Sequence, residues 1–128
     1  MKILGIGVDI IEKKRIKKSI KNINFKNRIY SAKELKLSSL SINKICFFSK
    51  RFAAKEAFVK ALGTGFRNSL NFKDIEIIND KLGKPYYTKN KKIRKIIQKK
   101  FNVKNFNCFL SISDEKDYST AFTIIQSS

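Results

Sequence analysis

The sequence contains no histidine. Catalysis built on an imidazole, whether Ser-His-Asp or Cys-His, is therefore excluded, as is a histidine-ligated zinc. Acid–base work must fall to carboxylates, lysines, tyrosines or bound water. There are only two cysteines, Cys46 and Cys108, in apolar neighbourhoods and without C-x-x-C spacing. They read as buried free thiols of a reducing compartment. Acidic residues are scarce: 10 Asp and Glu stand against 29 Lys and Arg, a formal charge of +19. Long apolar runs are missing too. The opening "MKILGIGVDIIEKK" is broken by Asp9 and has no small-residue cleavage site. Neither a signal peptide nor a membrane span is expected from it, and the location expected is cytoplasmic. There is no repeat, linker or low-complexity block. A chain of 128 residues is expected to form one domain, residues 1–128, with a modest core.

What is present is mostly positive charge. Such a surplus points to an anionic partner: nucleic acid, a membrane surface, a phosphorylated substrate or an acidic protein. Lysine is accompanied by much isoleucine and asparagine, the composition of an AT-biased genome. Drift on solvated faces is the competing reading of the charge.

The pattern of residues predicts an α+β chain with an antiparallel-rich sheet, about five strands and about four helices. "KILGIGVDII" reads as a buried strand. "EKKRIKKSIKNI" sets Ile16, Ile20 and Ile23 at helical spacing. Ser31 with Glu34 forms a capping box that starts a second helix. In "RFAAKEAFVKALGTG", Ala54, Ala57, Phe58, Ala61 and Leu62 make one apolar helix face, and Gly63 is placed to end it. "DIEIIND", "KLGK" and "PYYT" form a hairpin, with Pro85 at the start of the return strand. "KNKKIRKIIQKKF" is a basic amphipathic helix with Ile93, Ile96, Ile97 and Phe101 inward. "CFLSIS", "DEKD" and "YSTAFTII" form a second hairpin.

Three groups carry possible chemistry. Asp9 stands among Ile and Val in a strand, where an ionised carboxylate needs a partner. It reads either as a strand-end residue paired with lysine or as a metal ligand. The "GIG" before it implies close approach of backbones, though not a dinucleotide fingerprint. Glu56 and Lys60, four apart, share one face of their helix, opposite the apolar stripe. A surface ion pair is the simple account; a carboxylate and a lysine aimed at phosphate is the other. "GTGFRN" is either a helix cap or a turn that offers N–H groups to phosphate oxygens. It is not a P-loop.

Taken together, "GIGVDIIEKKRI", "RFAAKEAFVKALGTG", "DIEIINDKLGKPYY" and "FLSISDEKDYSTAFTII" occur in the order found in the holo-[acyl-carrier-protein] synthases, the small bacterial phosphopantetheinyl transferases. The chain resembles that family over essentially its whole length. The resemblance implies transfer of the 4′-phosphopantetheine arm of coenzyme A to a serine of apo-acyl carrier protein, with release of adenosine 3′,5′-bisphosphate, in fatty acid biosynthesis. It implies a divalent cation, usually Mg²⁺, and a homotrimer with active sites between subunits. Asp9 and Glu56 match the metal ligands, and Lys60 a lysine on the coenzyme A phosphates. Glu56 and Lys60 are thus the expected catalytic residues, with Glu56 or a metal-bound water as base. Gly63, Thr64 and Gly65 match the turn beside the pyrophosphate. Gly83, Lys84 and Pro85 of a neighbouring subunit are expected near the adenosine end. The acidic carrier would dock on the first helix, which has Lys13, Lys14, Arg15, Lys17, Lys18 and Lys21; Lys14, Arg15 and Lys18 are the expected partner-binding residues, with Arg15 as the main contact.

One position departs from the family. Many members have histidine where this chain has Phe109, in "FLSI", and a packing role is expected for it here. A nucleic-acid-binding protein is the rival reading, based on the charge, the helix Ile93–Phe101 and the nearby Tyr86 and Tyr87. It has no recognisable motif and leaves Asp9, Glu56 and "GTG" unexplained, so no nucleic acid or membrane partner is expected. The larger, broad-specificity transferases of this kind join two such halves in one chain and are about twice as long.

Overall fold

A computed structural model of the chain describes residues 1–67 and 69–128. Asn68, the end of "GTGFRN", lies outside them. The elements run β1 Ile3–Glu12, α1 Lys13–Ser19, α2 Ile23–Ile29, α3 Ala32–Ser38, α4 Lys44–Leu62, a 3₁₀ turn Phe72–Asp74, β2 Ile77–Asn79, β3 Pro85–Tyr87, α5 Lys91–Phe101, β4 Phe106–Asp114 and β5 Tyr118–Ser127. The α+β class and the five strands are as expected. All described pairings are antiparallel, in one three-stranded sheet of order β1-β5-β4 and one two-stranded sheet, β2-β3.

The helices number five, not about four, among the described residues. The segment expected as one helix through Ile23 divides at Asn22. Its side chain accepts from Asn24 N at 2.8 Å and Phe25 N at 3.3 Å and so starts a new helix, α2. Side-chain caps of this kind satisfy donors that a helix start leaves free. Ile23 is consequently 60% exposed instead of inward. The next helix, α3, starts at the expected capping box: Glu34 N donates to Ser31 Oγ and Ser31 N to Glu34 Oε1. The central helix begins earlier than its apolar stripe suggests, because Asn43 caps it through Cys46 N at 3.0 Å.

Helix α4 lies against the three-stranded sheet and is also touched by α1 and α3. It is therefore buried beyond one stripe, with Ser49, Arg51, Ala53 and Lys55 covered as well as the predicted face. Gly63 ends it in the left-handed conformation, φ +81°. On β1 the expected "GIG" approach is realised. A Cβ at Gly7 would lie 1.9 Å from Ala57 O, and one at Gly5 1.9 Å from Ala61 O. Backbone rests on backbone there, and any side chain would force strand and helix apart.

β1 itself is not the fully buried strand expected. Its pattern alternates, and Ile6, Val8 and Ile10 are 60%, 55% and 63% exposed. They share the outer sheet face with Phe122 and Phe109, also exposed, and with half-buried Ile124, since Val8 pairs with Phe122, Ile6 with Ile124 and Phe109 with Ile124. The period-2 alternation of strands makes this face continuous. No element among the described residues covers it.

The hairpins and α5 follow expectation. Pro85 opens β3 opposite Asn79. Asp80 accepts from Leu82 N and Lys84 N, each at 2.9 Å, and shapes the turn. Ile93 and Ile97 of α5 are buried.

Candidate active site

Asp9 lies inside β1, not at its end, and its backbone is in register with Ala121. It shares the helix-facing side of the strand with Gly5 and Gly7. Those glycines bring α4 close, and this brings α4's polar edge within reach of the Asp9 carboxylate. Lys60 Nζ donates to Asp9 Oδ1 at 3.1 Å and to Val8 O at 3.0 Å. The Lys60 side chain is 56% exposed and that of Asp9 17%. The ion pair that forms is thus Lys60 with Asp9, not the i, i+4 pair with Glu56.

Glu56, one turn before Lys60, is half-buried. Burial pushes its carboxyl pKa up, the Asp9 charge pushes it further, and Lys60 opposes both. Glu56 is therefore electrostatically coupled to both residues. Among the described residues it has no ion-pair partner of its own. Strand and helix so bring together Asp9, Glu56 and Lys60, as the sequence led us to expect. No group of three or more Cys, Asp or Glu that could hold a metal is found among the described residues. Two carboxylates suit a hard cation that fills the rest of its shell with phosphate and water oxygens.

Just past α4, Gly63 and Gly65 both have positive φ, +81° and +66°, and frame Thr64, whose Oγ1 donates to Gly65 O. Open space surrounds both glycines. Gly83, Lys84 and Pro85 are at the β2–β3 turn. No hydrogen bond or ion pair joins them to Asp9, Glu56 or Lys60 of the same chain. Lys14, Arg15, Lys17 and Lys18 are exposed on α1. Lys13 is not part of that free surface: its ammonium is 2.8 Å from Asp114 and also donates to Cys46 Sγ at 3.2 Å. Lys21 follows the end of α1. The two cysteines are free and half-buried; burial pushes the Cys108 thiol up to about 12.

Sequence reasoning missed a charged cluster under α4. Glu34 and Lys55 are both fully buried. Lys55 Nζ donates to Glu34 Oε1 at 2.7 Å, to Phe72 O at 3.0 Å and to Ile75 O. Glu34 Oε2 accepts from Ile77 N at 3.1 Å, and Arg51 Nε is 4.0 Å from it. Burial lowers the Lys55 pKa, and the Glu34 charge counters this. The cluster ties α3, α4, the 3₁₀ turn and β2 together. Helical phase held the signal: Lys55 is three before Phe58 and seven before Leu62, on the apolar side.

Two carboxylates and a lysine thus meet across a strand–helix contact, with a glycine-rich turn at the helix end, on an α+β frame. The sequence model of the 4′-phosphopantetheinyl transferase superfamily matches residues 5–123, and the chain belongs to that family. It is 62% identical to the holo-[acyl-carrier-protein] synthase of Pelagibacter ubique over 126 residues, 98% of either chain. A crystal structure of the Neisseria meningitidis holo-[acyl-carrier-protein] synthase superposes with a TM-score of 0.88 at 37% identity, over 98% of this chain and 99% of that one. A Bacillus anthracis synthase in complex with CoA (3′,5′-ADP) superposes at 0.82 and 35% identity, over 100% of both chains.

Proposed function

We propose that this chain transfers the 4′-phosphopantetheine arm of coenzyme A to a serine hydroxyl of an apo-acyl carrier protein, with release of adenosine 3′,5′-bisphosphate. The convergence of Asp9, Glu56 and Lys60 carries the reading, in a chain 62% identical to a curated synthase. Asp9 and Glu56 would hold Mg²⁺, and their all-oxygen donor set fits it. That ion, when bound, supplies charge neutralisation at the pyrophosphate. Lys60, freed from Asp9, orients and neutralises the same phosphate oxygens. With no imidazole in the chain, Glu56 or a water held beside it would accept the serine proton. Thr64 and its flanking glycines lie beside the pyrophosphate. Apo-carrier protein incubated with the protein, coenzyme A and Mg²⁺ tests the reaction by mass spectrometry. Absence of the phosphopantetheine mass gain with several carriers would reject it.

The working unit is a homotrimer, and the bare apolar sheet face supports this. Ile6, Val8, Ile10, Phe109 and Phe122 form a contiguous exposed apolar patch, the kind of surface that marks a protein interface. Phe109 is 49% exposed on this face, and its packing would be completed across the subunit boundary. The neighbour's Gly83, Lys84 and Pro85 would then complete the adenosine end of the site. Phe122→Asp places a charge in the middle of this face. Light scattering is expected to give the mass of one chain for the variant and of three for the parent, with transfer lost along with assembly. An unchanged mass would place the interface elsewhere.

The exposed Lys14, Arg15 and Lys18 supply the docking face for the acidic carrier. Electrostatics of this kind acts mainly on encounter and orientation. Arg15→Glu should raise KM for carrier protein about tenfold or more at low salt, with the gap closing as salt rises. A KM equal to the parent's at low salt would remove α1 from the docking surface.

A further inference from the structure

The outer side of α5 is not used by the chemistry above. From Lys81 to Ser113 the sequence has ten Lys and Arg and no Asp or Glu. Every cation from Lys89 to Lys104 is exposed except Lys92. None but Lys92, which meets Asp74 at 2.7 Å, forms an ion pair among the described residues. Ile93 and Ile97 enter the core. The charged side of the helix therefore faces outward over about 14 Å, from Lys91 to Lys100. This ridge borders a concavity of about 330 Å³ whose lining includes Lys89, Arg94, Lys104, Asn105 and Phe106. The turn that carries Lys104 is braced. Asn102 ends α5 in the left-handed conformation, φ +52°, Gln98 Nε2 donates to Lys104 O at 2.8 Å, and Ser128 N donates to Asn105 O at 3.1 Å. Phe106 pairs with Ser127 and Asp9 with Ala121. The stretch of β5 between those positions, about 20 Å, separates the concavity from Asp9.

We propose that α5 and this concavity bind single-stranded RNA through its phosphates, as a surface separate from the transfer site and independent of the coenzyme A reading. Helices that bind membranes insert large apolar side chains, and protein interfaces centre on aromatic or aliphatic anchors. None of the exposed large hydrophobic side chains falls between Thr88 and Cys108. A nucleic-acid backbone asks only for unpaired cations along its path, which is what the ridge offers. The absence of a nucleic-acid motif set the expectation of no such partner, but phosphate-directed, sequence-tolerant binding requires no motif. The concavity suits a single strand, because a base splayed from the backbone can enter between the half-buried Phe106 ring and Asn105. The braced turn holds Lys104 in place beforehand, so little ordering opposes the contact.

The test titrates labelled poly(U) with the intact protein over a series of salt concentrations and compares the parent with Arg94→Gln/Lys104→Gln. The parent should show a log–log salt slope of about −2 or steeper, as three or more phosphate contacts require. The variant should bind about tenfold or more weakly at low salt, with the slope reduced by about 1.4 for two lost contacts. Its melting temperature and transfer activity should equal the parent's. Arg15→Gln/Lys18→Gln removes the same charge from α1 and should leave most of the affinity in place. Equal losses in the two variants would overturn the proposal, since a diffuse field would then be the whole effect. A parent that does not bind poly(U) would overturn it too, and leave the lysines as solvated drift. Capture of phosphatidylglycerol vesicles instead of poly(U) would overturn it in favour of a membrane surface. A raised KM for carrier protein in the α5 variant, with poly(U) binding intact, would overturn it in favour of a carrier surface. A poly(A)·poly(U) duplex bound as tightly as poly(U) would overturn the part given to the concavity. If no carrier is modified while poly(U) binding and its loss in the α5 variant persist, the transfer reading fails and the RNA surface stands.

Discussion

Glu56→Ala and Glu56→Gln are each expected to lower phosphopantetheine transfer about 10²–10⁴-fold, the range for removing a positioned acid–base group. Glutamine keeps the shape and removes the charge, so equal losses in the two variants would show that charge is the essential property. The fold should not suffer. Glu56 is half-buried, feels the like charge of Asp9, and has no ion-pair partner among the described residues. Its ionised form is disfavoured in the folded chain, as its raised pKa records. Glu56→Gln should therefore melt at or above the parent temperature while turnover collapses. Lys60 keeps its bond to Asp9 in both variants, so the strand–helix contact is not at risk. Mass spectrometry of the carrier and a thermal melt decide the matter. More than about a tenth of parent activity in either variant would remove Glu56 from the chemistry.

The largest stability effect is expected from Lys55→Met. Methionine fits the volume, but it leaves the Glu34 carboxylate fully buried and without its closest cation. Breaking one side of a buried pair costs about 3–5 kcal/mol. Arg51 is 4.0 Å away and already stacked on Phe47, so it is poorly placed to compensate. The carbonyls of Phe72 and Ile75 would also lose their donor. A fall in Tm of about 10–20 °C follows for a domain of this size. Adding Glu34→Gln should return part of the loss, because the amide oxygen can still accept from Ser31 N or Ile77 N without a buried charge. A single variant that loses less than about 1 kcal/mol, or a double variant that loses more than the single, would contradict the account.

The parts of the fold legible in the sequence are those governed by local rules. The Ser31–Glu34 box, the Gly63 stop, the Pro85 strand start and the inward Ile93 and Ile97 were all readable, because each depends on neighbours within a turn or a strand. The Asp9–Lys60 pair was only half legible. Spacing on a helix favours Glu56 as the partner of Lys60, and the strand that supplies Asp9 is 51 positions away. Ion pairing at that range is fixed by tertiary approach, which no local pattern contains. The exposed side of β1 misled for a related reason. Ile, Val and glycine look the same whether one chain or several will cover them. The two asparagine caps at positions 22 and 43 were visible as residues, yet polar asparagines are so frequent here that they did not stand out.

The seat of β1 on α4 has one more implication. Gly5 and Gly7 meet the carbonyl oxygens of Ala61 and Ala57 with no side chain between. A joint made from main chain alone has no rotamers to sample, so the separation of strand and helix has few ways to drift as temperature or sequence changes elsewhere. The spacing between the Asp9 and Glu56 carboxylates inherits that fixed tolerance. Substitutions on the far side of the sheet can then alter packing and surface charge freely while the distance between the two carboxylates stays calibrated by two missing methyl groups.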